Sequence, residues 1–123
     1  MATILLIERD GVSRKLAARI LQQAGHRVVL GTRGREATGL ACRHQPRLVL
    51  MEVDAPPDEI LRAARGLRAE PSLAGMRVHA LVPRALASEQ ARLLAADFDG
   101  FLLKPFDQRG LFRYVDAELR RLP

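Results

Sequence analysis

The feature that most constrains this chain is an alternation, repeated five times, of a short apolar run with a segment of helical periodicity. Thr3 to Ile7 is a continuous apolar run with β-branched members, as expected of a strand buried on both faces. Asp10 or Ser13 can cap the helix that follows, whose apolar positions Val12, Leu16, Ile20 and Ala24 recur at helical spacing before Gly25 stops it. Arg27 to Leu30 reads as a second strand, and Gly34 to Gln45 as a second helix ended by Pro46. Leu48 to Val53 is a third strand, apolar except for Glu52. Asp58 to Ala69 predicts a helix with Ile60, Leu61, Ala64 and Leu67 inward and Arg62, Arg65 and Arg68 outward, with Pro57 suited to its first turn. Arg77 to Val82, Leu86 to Ala96, Gly100 to Leu103 and Asp107 to Leu122 complete the series as strand, helix, strand and helix, with Phe112, Val115, Leu119 and Leu122 inward on the last.

Short strands alternating with helices require crossover connections between parallel strands. The expected fold class is therefore α/β, a five-stranded parallel sheet with helices on both faces, doubly wound, in one domain over residues 1–123. In such sheets ligands bind beyond the carboxyl ends of the strands. That places Glu8 to Asp10, Glu52 to Asp54, Val82 to Arg84 and Leu103 to Pro105 at the candidate site.

Composition narrows the function. Of 123 residues, 48% are hydrophobic, enough for one packed core, and no apolar run approaches the ~20 residues of a membrane span. No signal-peptide pattern opens the chain, so a cytoplasmic protein without membrane contact is expected. Cys42 is the sole cysteine, which excludes an intramolecular disulfide and a cysteine metal centre; a partly buried, unreactive thiol is the simpler reading. The net charge of +6 comes almost wholly from arginine, since only Lys15 and Lys104 are lysines. No run of basic residues exceeds two, which favours a solvating role over a nucleic-acid track.

Three segments carry a family resemblance. Ile4-Leu5-Leu6-Ile7-Glu8-Arg9-Asp10, with Arg14 downstream, is similar to the first strand and acidic pair of bacterial response regulator receiver domains. Pro46-Arg47-Leu48-Val49-Leu50-Met51-Glu52-Val53-Asp54-Ala55-Pro56 resembles their acceptor strand, and Phe98-Asp99-Gly100-Phe101-Leu102-Leu103-Lys104-Pro105-Phe106 their lysine strand. The resemblance spans nearly the whole chain. It implies the flavodoxin-like strand order 2-1-3-4-5. It also implies phosphorelay signalling, in which an aspartate on the third strand takes a phosphoryl group. The acidic pair holds a divalent cation, the lysine contacts the phosphoryl oxygens, and a Ser or Thr on the fourth strand couples to an aromatic residue on the fifth. A cis bond between Lys104 and Pro105 is implied as well.

The resemblance fails where the chemistry lies. The acceptor position is Glu52, whose carboxylate sits one methylene, roughly 1.5 Å, farther out than an aspartate's. A misplacement of about 1 Å can cost on the order of a hundredfold in rate. The second acidic position is Arg9, which offers a cation no lone pair and repels it. Val82 stands at the Ser/Thr position and cannot donate to a phosphoryl oxygen, and Phe101 holds the aromatic position without a hydroxyl. Glu8, Lys104 and Pro105 keep their places. Glu8 and Glu52 formally offset Arg9 and Lys104, so we expect Arg9 to bridge the two carboxylates in place of a metal, with Lys104 also on Glu52. Magnesium binding is expected to be lost. Asp10 is expected to turn away and cap its helix. A displaced acceptor at Asp54 or Asp10 is the alternative, and the register set by Pro56 argues against Asp54.

Other features point less sharply. His79 lies within the fourth strand and reads as a hydrogen-bonded core histidine; His26 and His44 read as surface residues, and no pair has metal-ligand spacing. No glycine-rich phosphate loop follows the first strand, and no nucleophile-elbow pattern occurs. Arg84, Arg92, Arg109 and Arg113, with Phe101, are the candidate partner-binding residues. The chain closes on a helix and has no recognition-helix pattern, so no nucleic-acid partner is expected. The reading is a degenerate receiver that is not an enzyme and binds a signalling protein such as a histidine kinase or downstream effector independently of phosphorylation. It also allows a homodimer, or an anionic nucleotide gripped by arginines.

Overall fold

The computed structural model describes residues 1–53, 57–88 and 97–121. Asp54, Pro56, Arg92 and Leu122 lie outside this set, as does most of the helix expected over 86–96. The strands are β1 (Thr3–Ile7), β2 (Arg27–Gly31), β3 (Leu48–Glu52), β4 (Arg77–Pro83) and β5 (Gly100–Lys104). All pair in parallel, in the order β2-β1-β3-β4-β5. The described helices are α1 (Gly11–Gln23), α2 (Ala37–His44), α3 (Asp58–Ala69) and, last in the chain, α4 (Gln108–Arg121). No helix among the described residues is long and apolar enough to cross a membrane.

The sheet separates two cores because successive strand residues point to opposite faces. Ile4 and Leu6, with Leu48 and Leu50, pack against α1 and α4. Leu5 and Ile7, with Val49 and Met51, pack against α2 and α3. Continuing that alternation past the apolar run assigns Glu8, Glu52 and Lys104 to the α1–α4 side, each at the carboxyl end of its strand.

Helix ends follow local hydrogen-bonding chemistry. Asp10 caps α1, its Oδ2 accepting from the Ser13 amide at 2.8 Å. The second helix begins later than Gly34. Glu36 folds back to accept from the Thr32 and Arg33 amides at 3.0 and 2.8 Å, which tightens Gly34–Glu36 into a 3-10 turn. Gln45 ends α2 in the left-handed region at φ 47. Asp107 starts α4, Oδ1 accepting from the Gly110 amide at 2.6 Å.

The inward faces of two helices differ from expectation. On α1 the buried residues are Ala17, Ala18, Ile20 and Leu21, while Val12 and Leu16 are 78% and 55% exposed. Arg14 explains the roll. Its Nη1 donates to the Glu8 carbonyl at 2.8 Å, which turns the Arg14–Ala17–Ala18–Leu21 face toward the sheet. On α4, Leu111 rather than Phe112 joins Val115 in the core. Helix α3 buries Ile60, Leu61, Ala64 and Leu67, as the periodicity predicts.

The capping hydrogen bond from the Ser13 amide holds the Asp10 carboxyl below the ordinary carboxylate range. A depressed carboxyl stabilises the fold above its unfolded value of 3.8 and loses that contribution as pH falls through the folded value. We expect Asp10→Ala to lower the thermal midpoint at pH 7, and the gap from the parent to narrow in acid. Paired melts at the two pH values check this.

Candidate functional site

Three charged side chains meet at the carboxyl ends of β1, β3 and β5. Glu8 is 1% exposed and has both oxygens engaged: Oε1 accepts from Lys104 Nζ at 2.7 Å, and Oε2 from the Asp10 amide at 3.1 Å. The same ammonium donates to Glu52 Oε2. Lys104 enters from β5, two strand spacings or roughly 10 Å from β3, a gap that its four-carbon stem spans across β4. The cation joining the two carboxylates is thus Lys104. Arg9, expected to bridge them, is exposed at the rim one residue past Glu8, and the cation observed between the two carboxylates is Lys104.

The electrostatics follow from this crowding. Burial, and next the hydrogen bond with Glu8, push the Glu52 carboxyl above its ordinary range, with Lys104 opposing them. Burial pulls the Lys104 ammonium down, yet the hydrogen bonds to Glu52 and Glu8 outweigh it and leave its pKa raised. Both shifts describe a partly desolvated cation shared between two acids.

A divalent metal does not fit this donor set. The carboxylates that would face it already hold an ammonium, and the third position offers a guanidinium. A unit charge repels another by about 4 kcal/mol at ~4 Å and an effective dielectric of ~20, and a divalent ion by about twice that. Asp10, a further acid next to Glu8 among the described residues, is engaged as a helix cap. No group of three metal-ligating side chains occurs among the described residues.

The other sequence candidates disperse. Val82 is fully buried, but among the apolar residues of the α2–α3 side, on the opposite face from the triad. Phe101 is 49% exposed on β5, and Lys104-Pro105 is cis. Arg84, Arg109 and Arg113 are exposed; Arg109 borders a cleft between α1 and α4. Cys42 is half-buried.

A family-model match decides the identity: residues 4–116 fit the response regulator receiver domain. The chain belongs to the receiver-domain family. It is a receiver of two-component signalling, with the strand order and helix placement of that fold. It is 23% identical over 103 residues, 84% of each chain, to the polar-differentiation response regulator DivK of Brucella anthropi. The chemotaxis response regulator CheY4 of Vibrio cholerae superposes with a TM-score of 0.84 at 21% identity, covering 95% of this chain and 98% of that one. The receiver domain of the sensor histidine kinase PA1611 from Pseudomonas aeruginosa matches at 27% identity and a TM-score of 0.80, over 94% and 95% of the two chains. That structure holds a magnesium ion coordinated in its active-site cleft. Receivers are signalling modules, found in this comparison joined to a sensor histidine kinase and to a diguanylate cyclase.

Sequence reasoning left a second polar cluster incomplete. His79 is buried, with Nδ1 bonded to the Tyr114 hydroxyl and Nε2 3.1 Å from Glu118 Oε1 in poor hydrogen-bond alignment. The available signal was Gly100 within β5, where an added Cβ would lie 3.0 Å from the His79 ring and 3.1 Å from the Tyr114 oxygen. Burial lowers the His79 pKa, outweighing the raising effect of Glu118. Well above pH 6.5 the His79 ring is neutral in both the folded and the unfolded chain, and as pH falls through the unfolded value of 6.5 the unfolded chain takes the proton first. Stability contributed by His79 is therefore lost as pH falls from 6.5 toward the folded value. His79→Leu is expected to flatten this part of the stability–pH curve, which denaturant melts across that range would show.

Proposed function

We propose that this receiver works without phosphorylation, as a protein-interaction module held in one state by the Glu8–Lys104–Glu52 triad. The observation that carries the reading is the Lys104 ammonium, shared between the two carboxylates that would otherwise face a metal. Glu52 and Arg9, at the acceptor and second acidic positions, point the same way. A partly buried ion-pair network of this kind fixes geometry more reliably than it adds stability. The partner in this reading is a signalling protein such as a histidine kinase or downstream effector, met in the cytoplasm, and the chain catalyses no reaction of its own.

The test is incubation with acetyl phosphate and magnesium, read by intact mass and by amide spectra. We expect no added phosphoryl group, and no saturable shift at Glu8 or Glu52 up to millimolar magnesium. A labile phosphoryl adduct on the unaltered protein would overturn the reading and make Asp54 the next residue to replace.

A further inference from the structure

A cleft of about 510 Å³ opens between α1 and α4, lined by Ile20, Gln23, Ala24, Gln108, Arg109 and Phe112. Clefts that hold small ligands run from roughly 300 to 1,000 Å³. None of these residues belongs to the Glu8–Lys104–Glu52 triad, so a ligand in the cleft is separate from the phosphorylation-free reading above and stands or falls without it.

The lining combines an apolar floor, a ring, two amides and a cation. Ile20 is buried and forms the floor with Ala24. Phe112 is 45% exposed, while Leu111 and Val115 of the same helix fill the core. An aromatic ring open to a concave site is a stacking platform for a planar heterocycle. Gln108 Nε2 donates to Gln23 Oε1 at 3.4 Å, longer than the roughly 2.9–3.0 Å of an ordinary N–H···O bond, so a ligand displaces that contact at little cost. The other halves of the two amides, a donor on Gln23 and an acceptor on Gln108, have no protein partner among the described residues. Carboxamides pair with the adenine edge, which offers an amino donor beside a ring-nitrogen acceptor.

Arg109 supplies the charge. It is exposed and makes no ion pair among the described residues, and the adjacent Asp107 turns its Oδ1 to the Gly110 amide. A guanidinium matches a phosphate through two parallel hydrogen bonds. Arg109 is the one cation lining the cleft among the described residues, which fits the cleft to one phosphate group. A simple carboxylate would satisfy Arg109 and leave the ring and both amides unused. A pyrimidine would cover less of the Phe112 ring than a purine does.

We propose that the α1–α4 cleft binds an adenine nucleotide with a single phosphate, its base stacked on Phe112 and paired along its edge with Gln23 and Gln108, and its phosphate held by Arg109.

The experiment titrates the full chain with AMP, adenosine, inorganic phosphate, GMP and CMP, read by calorimetry and by amide spectra. AMP is expected to bind saturably, with shifts at Gln23, Gln108, Arg109 and Phe112, and to weaken with rising salt. Adenosine and phosphate alone should each bind about tenfold more weakly or worse. Arg109→Gln should cost AMP about tenfold and leave adenosine unchanged, whereas Phe112→Ala should weaken both. Both side chains are substantially exposed, and an unchanged thermal midpoint would show that each variant still folds. Should Phe112→Ala fail to fold, the split between AMP and adenosine in Arg109→Gln still decides. The proposal is overturned by no saturable AMP binding up to millimolar concentrations, by GMP, CMP or inorganic phosphate binding as tightly as AMP, or by shifts that map away from the cleft.

Discussion

Replacing Lys104 by methionine is expected to destabilise the protein by about 3 kcal/mol at pH 7, the usual consequence of removing one partner from a buried ion pair. Methionine keeps the unbranched stem and removes the charge, leaving Glu8 and Glu52 to face each other. Glu8 is 1% exposed and has no route to water. For a chain of this length the thermal midpoint should fall on the order of 10 °C. The loss should shrink in acid. Glu52 already has a raised pKa from burial and from Glu8, and without the cation it takes up a proton more readily. A group whose folded pKa is raised supports the fold below its unfolded value of 4.5 and loses that support as pH rises through the folded value. In the unaltered protein Lys104 also has a raised pKa, so its ammonium stays charged from acid through neutrality and is lost only in alkali. Adding Glu52→Gln to Lys104→Met should recover much of the stability, because one carboxylate then has no like charge opposite it. A double-mutant cycle from chemical melts measures this coupling, and independent, additive effects would show that the triad is not a unit.

The second large effect concerns metal binding and phosphoryl uptake. Arg9→Asp with Glu52→Asp is expected to produce a protein that binds magnesium saturably in the millimolar range. The pair replaces a guanidinium with a carboxylate and shortens the acceptor by one methylene, leaving Glu8 and Lys104 in place. With acetyl phosphate and magnesium the variant should gain the mass of one phosphoryl group. Restoring one residue alone should not suffice, since Arg9 repels the cation and Glu52 misplaces the nucleophile independently. Val82→Thr is a poor third substitution. Val82 is fully buried among apolar side chains on the far face of the sheet, so a hydroxyl there would cost about 1–3 kcal/mol unless it found a partner.

The strand alternation was legible in the sequence, and so was the α/β class. Each strand reads as a short apolar run, and parallel strands joined by helices leave few arrangements. Alternation also assigns Glu8, Glu52 and Lys104 to one face, because each continues the even-numbered positions of its strand. Helix α3 was readable because it has a single apolar stripe. Helices α1 and α4 each carry two competing stripes, and periodicity cannot rank them. On α1, Ala17, Ala18 and Leu21 won the sheet because small alanines permit close approach and Arg14 is anchored on the same side.

By itself the sequence determined the fold class, the strand ends that form the pocket and the substitution of its chemistry. Those are local properties: apolar period, side-chain length and charge at fixed positions along a strand. Only the tertiary structure decided that Lys104 joins the two carboxylates, that Val82 lies across the sheet from them, and that Val12, Leu16 and Phe112 face solvent. Each of these depends on strand order, on the roll of a helix or on the reach of a side chain across a neighbouring strand. Such distances join residues far apart along the chain, and no window of sequence contains them.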